Sequence, residues 1–137
     1  MARRRSRYAG VALLALAVAR FPAAPAHAAD AASTPDEAIR KVIADYGRAI
    51  ENKDLQLFKV VKPNLTDEEE RRARSAFEQV KSHTVKITVN SLDVKGDDAV
   101  AHISRRDTIN GSLVSSFPQT IHLSRGKGGW GILEIGR

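Results

Sequence analysis

The sequence predicts an α+β fold in which N-terminal helices pack on one face of a four-stranded antiparallel sheet. Two observations carry this. Apolar residues recur every three or four positions up to about residue 80, and every second position from residue 84 onward. Short turns separate the later alternating runs, which suits an antiparallel meander and is too little chain for parallel crossovers. The alternation leaves the sheet one apolar face, and the helices must cover it.

The first helix starts at Thr34-Pro35-Asp36-Glu37, where Thr34 can cap, Pro35 is tolerated at the first position and Glu37 can return a bond to the cap. Ile39, Val42, Ile43, Tyr46 and Ile50 share one face of a helix running to about Glu51. Gly47 in its interior points to close packing beside Tyr46. After Asn52-Lys53-Asp54, the residues Leu55, Phe58 and Val61 predict a short second helix stopped by Lys62-Pro63. Thr66 and Glu69 form a capping-box signature for a third, whose apolar side is Ala73, Ala76, Phe77 and Val80. Its charged run, Asp67 to Arg74, places acids and arginines four apart, the pattern of a solvated face rather than a binding patch.

Val85, Ile87 and Val89 alternate with polar residues in the first strand, and Leu92 and Val94 fall out of step, so a bulge is expected near Ser91. Gly96-Asp97-Asp98 turns the chain into a second strand, Ala99 to Asp107. Asn110-Gly111 predicts a two-residue hairpin turn, because both central positions of that turn want positive φ. A third strand covers Leu113 to Arg125, with Pro118 implying an edge or a bulge, and Gly126 to Gly129 leads into a last strand, Trp130 to Ile135.

Residues 1–28 carry a different signature. Arg3, Arg4, Arg5 and Arg7 form a basic head, Val11 to Ala19 an apolar run, and Ala26-His27-Ala28 a small-x-small cleavage site, the pattern of an export signal. The expected organisation is a signal peptide over 1–28, a flexible leader over 29–33 and one domain over 34–137. The apolar run stops at Arg20, short of the roughly 20 residues a spanning helix needs. The mature protein is therefore expected in the periplasm or outside the cell, without a membrane anchor, and Arg4-Arg5-Ser6-Arg7-Tyr8 fits general or twin-arginine export alike.

This segment also accounts for most of the chain's basicity. The 137 residues carry a formal charge of +6, but five of the 22 basic residues lie in the signal, leaving 17 against 16 acidic ones. A near-neutral domain has no strong overall field for phosphates, and no basic helix face is visible, so nucleic acid is not expected as a partner. The absence of cysteine excludes disulfides, thiol catalysis and lipid attachment at a cysteine.

Several stretches carry a resemblance: Ile43, Tyr46 and Ala49; Asn52-Lys53-Asp54-Leu55; Lys95-Gly96-Asp97-Asp98-Ala99-Val100-Ala101; and Gly128-Gly129-Trp130-Gly131-Ile132. In this order, over 34–136, the chain resembles the nuclear transport factor 2-like superfamily, which includes polyketide cyclase-like and ketosteroid isomerase-like domains. The resemblance implies a curved sheet and helices enclosing a cone-shaped cavity, a cystatin-like architecture, and an outer sheet face that serves a homodimer. It does not choose an activity, because the fold hosts isomerases, cyclases, dehydratases and proteins with no chemistry.

Position by position, the resemblance makes Tyr46 an aromatic looking into the cone and Trp130 the last-strand aromatic. With Phe58 and Phe77 they are the ligand-pocket candidates, a filled core being the alternative for the same four residues. Isomerases of the family pair a cavity carboxylate with a tyrosine or a neutral acid. Here strand acids are scarce: Asp97 and Asp98 sit in a turn, Asp107 at a strand end and Glu134 near the terminus, so no obvious base faces an apolar cavity. Of His83, His102 and His122, the last two fall on the polar side of the alternation, and no His-x-His or Glu-x-x-His spacing suggests a metal. No cofactor is expected. The reading is an exported, non-catalytic module that binds a small apolar ligand or a partner. The alternative is an isomerase-, cyclase- or dehydratase-like enzyme using Tyr46, His102 and Asp107.

Overall fold

The computed structural model describes residues 33–137; the predicted signal peptide and all but the last residue of the predicted leader lie outside the described residues. Three helices, α1 (Pro35–Glu51), α2 (Leu55–Val61) and α3 (Asp67–Gln79), precede four strands, β1 (His83–Lys95), β2 (Asp98–Ile109), β3 (Leu113–Gly126) and β4 (Gly129–Gly136). The strands pair antiparallel in chain order, and the sheet is open.

The first and third helices begin at their predicted caps, and the second begins at Asp54, a cap not expected from the sequence. Thr34 Oγ1 accepts from the Glu37 amide, Asp54 Oδ1 from the Leu57 amide, and Thr66 and Glu69 form both bonds of a capping box. α1 is the central helix: Ile39, Ile43, Tyr46, Ala49 and Ile50 are buried with Ala99, Ala101, Ile103, Ile121, Leu123 and Ile132 of the sheet and with Val61 of α2. Gly47 packs on β1, where a Cβ would stand 3.2 Å from Ile87 Cδ1. By contrast α3 contains no buried residue, and its apolar stripe is only half covered.

The sheet departs from strict alternation at the predicted place and at one other. The register of β1 against β2 shifts between Val89 and Ser91, the expected bulge. A second shift, at His122/Leu123 against β4, was not legible in the sequence and leaves Leu133 exposed. Pro118 sits where β3 has no β4 partner, since that pairing covers only Thr120 to Gly126, so its missing amide costs no ladder bond. In the β2–β3 hairpin Asn110 (φ 51) and Gly111 (φ 77) are left-handed as expected. Ile109 faces Leu113, however, so the loop is one residue longer than a two-residue turn. Asn110 Oδ1 accepts from the amides of Lys81 and Ser82, tying this loop to the start of β1.

Both outer strands are blunted. Glu51 Oε1 accepts from the Val85 amide at 2.6 Å on β1, and Asn64 Nδ2 donates to the Leu133 carbonyl at 3.1 Å on β4.

Candidate functional site

The alternation that buries Ala99, Ala101 and Ile103 continues along β2 into Arg105 and Asp107, so two charged side chains face the helices. They are i, i+2 neighbours on one face, and their pairing is bidentate: Arg105 Nε donates to Asp107 Oδ1 at 2.7 Å and Nη2 to Oδ2 at 2.6 Å. The third arm of the guanidinium, Nη1, donates to the Tyr46 phenol oxygen at 2.7 Å. The Arg105 guanidinium carbon is also 5.5 Å from the Tyr46 ring centre and 5.3 Å from that of Phe117. His83, at the start of β1, brings Nε2 to 2.8 Å from Asp107 Oδ2.

Burial alone would raise the pKa of Asp107, but the hydrogen bonds from Arg105 and His83, with the charge on Arg105, outweigh it and hold the carboxyl below the usual range. Asp107 is therefore a carboxylate and an acceptor only, so the proton between them sits on His83 Nε2, and in the neutral ring Nδ1 is the acceptor. Burial pushes Tyr46 up despite the adjacent guanidinium, so it stays a neutral phenol. Because its oxygen accepts from Arg105, its proton is free to be given, and Gln119 Oε1 at 3.4 Å takes it only over a long bond. Burial would lower the pKa of Arg105, yet its bond to Asp107 raises it overall, so the cation is permanent.

Tyr46, His83 and Arg105, with Asp107 behind them, form one wall of a cavity of about 360 Å³ lined also by Ile50, Phe58, Phe77, Val80 and Ile109 and by Ala73 and Ala76 of α3. The Tyr46 and Phe58 rings stand 6.2 Å apart and Phe58 and Phe77 meet edge to face at 6.4 Å. Three of the four expected pocket aromatics thus surround one space. Trp130 does not: it lies at the opposite end of the sheet, under Arg125, where it lines a separate groove with Pro63, Gly131 and Leu133. Among the candidate catalytic residues, Tyr46 and Asp107 are joined through Arg105, whereas His102 is on the outer face with Nδ1 3.2 Å from Thr120 Oγ1. The expectation that no carboxylate faces the cavity side is corrected by Asp107, which is 4% exposed. Its partners Arg105 and His83 were not chosen from the sequence, although both are in phase with the buried residues of their strands. Among the described residues no three His, Cys, Asp or Glu side chains cluster as metal ligands, and no helix is long and apolar enough to cross a membrane.

No protein-family model matches the sequence, and no curated protein matches it. Solved structures do. A nuclear transport factor 2-like superfamily protein from Salmonella enterica serovar Typhimurium superposes with a TM-score of 0.65 at 18% identity, over 76% of this chain and 89% of that one. The chain has the nuclear transport factor 2-like fold. A candidate dehydratase of that family from Streptomyces avermitilis gives 0.64 at 12% identity, over 74% and 94% of the two chains. A candidate ketosteroid isomerase from Shewanella frigidimarina gives 0.61 at 16%, also over 74% and 94%. Identities this low carry the fold and no activity across.

Proposed function

We propose that the protein is an exported module that binds a small, mostly apolar molecule between α3 and the sheet. The observation that carries this is the cavity itself: about 360 Å³, apolar on all sides but one, with Tyr46, Arg105 and His83 on the remaining side. That size falls in the lower part of the roughly 300–1,000 Å³ range of small-molecule pockets. A ligand oxygen would accept from the Tyr46 hydroxyl, and a ligand hydroxyl would donate to His83 Nδ1. The test is a thermal-shift and calorimetric screen of small aromatic and alicyclic alcohols and ketones. Binding is expected for oxygenated members over their hydrocarbon counterparts, with Tyr46→Phe weakening it about tenfold while leaving the fold intact. No shift across the panel would refute the reading in favour of a filled core.

The His83–Asp107 pair supports a second reading, acid–base chemistry of the isomerase, cyclase or dehydratase kind. A carboxylate that fixes the imidazole tautomer leaves Nδ1 able to take a proton from carbon beside a ketone, while the Tyr46 hydroxyl donates to the developing enolate oxygen. Proton exchange into ketone ligands in heavy water, followed by NMR, separates the two readings. Exchange that disappears in His83→Gln supports catalysis; binding without exchange leaves the module non-catalytic. The outer sheet face is the surface we assign to self-association, on the resemblance of the fold.

A further inference from the structure

On the outer face of the sheet Lys86 of β1 lies directly opposite Arg106 of β2. Like charges at this position repel across the ladder, and among the described residues neither forms an ion pair. The same register sets Thr88 opposite Ser104 and Ser116 beside Arg106 on β3. These five side chains, together with Arg105, Phe117 and Pro118, line a shallow groove of about 390 Å³. Of its three cations Arg105 is already held by Asp107. Ser104 Oγ accepts from Asn90 Nδ2 at 2.8 Å, which leaves its own proton to be given outward. No carboxylate lines the groove. Asp93 and Asp98 of the same strands pair toward the other end of the sheet, and Glu134 is opposite His122.

We propose that this groove binds a doubly charged phosphoryl group carried by a soluble small molecule. The two unpaired cations match the charge of one phosphate monoester. The Arg106 fork suits two of its oxygens, Lys86 supplies a compact charge, and the three hydroxyls offer more donors than a carboxylate could use. Bound phosphate would also remove the repulsion between Lys86 and Arg106, so the empty sheet is held in a state that the ligand relieves. An anionic membrane is the less suitable occupant, since surfaces that recruit it typically cluster about 4–8 basic residues and this groove has three, of which Arg105 is neutralised by Asp107. The site opens on the opposite face from the cavity, with Arg105 bordering both, and its two unpaired cations do not depend on the function proposed for the cavity.

The experiment is thermal unfolding of the full chain in sodium phosphate against sodium chloride at equal ionic strength, repeated with a soluble phosphomonoester. The midpoint is expected to rise with phosphate and to saturate, with amide shifts at Thr88, Ser104 and Ser116 in an NMR titration. Arg106→Gln and Lys86→Gln should each raise the midpoint in chloride, by ending the repulsion, and abolish the further rise in phosphate. Lys127→Gln, a charge removed elsewhere on the surface, should keep it. Equal midpoints in phosphate and chloride would overturn the proposal, as would a phosphate response that survives both groove substitutions. Sedimentation with anionic vesicles combined with indifference to phosphate would replace it with a membrane contact.

Discussion

At Arg105 three hydrogen bonds and two aromatic faces converge on one guanidinium. Removing either member of the Arg105–Asp107 pair strands a buried charge, which typically costs about 3–5 kcal/mol. The pH dependence has a definite sign. Because the folded state depresses the pKa of Asp107, its contribution is fully present above the ordinary carboxylate value and is lost as the pH falls through the folded one. Urea titrations at falling pH should therefore show the stability gap between the wild type and Asp107→Asn narrowing below about pH 4. A gap that stayed constant would mean that Asp107 is not ionised in the folded protein. Along α1 the contrast lies between faces. Ile43→Ala should cost about 2–5 kcal/mol, whereas Arg48→Ala should cost under about 1, because Arg48 is exposed and Lys41 remains to pair with Asp45. Equal effects would contradict the assignment of the buried face.

Among the elements α3 stands apart. Its capping box, its Glu68–Arg72 and Glu70–Arg74 pairs and the Lys59–Glu70 bridge to α2 shape and tether it, but none of its residues is buried. A helix held by exposed ion pairs has little packing energy, and such segments open at low free energy. Hydrogen exchange should be markedly faster in α3 than in α1, and a ligand in the cavity should slow α3 selectively, since Ala73, Ala76 and Phe77 line that space. Uniform protection of the three helices would show that α3 is part of the rigid core. Phe77→Ala should then weaken binding while costing less than the about 3–5 kcal/mol typical of a fully buried phenylalanine.

For the whole molecule two expectations concern its state and place. Cleavage after Ala28 predicts an exported product beginning near Ala29, which intact-mass measurement of the exported fraction would read directly. Retention of Met1 on a cytoplasmic species would remove the export reading. Light scattering at high micromolar concentration should detect a dimer if the outer face associates. That face carries Lys86, His102, Arg106 and His122 beside Val100, so two copies would bring unpaired Lys86 and Arg106 cations together and their association should strengthen at high salt, which screens the repulsion.

The starts of α1 and α3, the strand that carries a bulge near Ser91 and the left-handed residues of the Asn110-Gly111 loop followed from the sequence, because caps, periodicity and turn chemistry act within a few residues. The same local logic turned His102 outward. Arg105 and Asp107 are in phase with the buried residues of β2, yet their charge makes Asp107 read as a strand-end residue and leaves Arg105 unremarked. What the sequence could not supply was the meeting of parts far apart in the chain. Tyr46 on α1, His83 on β1 and Arg105 with Asp107 on β2 become one network only when α1 crosses the sheet at that end. Trp130 fails to join Phe58 and Phe77 for the same reason, since its place on β4 puts it at the other end. Buried ionic contacts of this kind depend on geometry across the fold, and only packing sets that geometry.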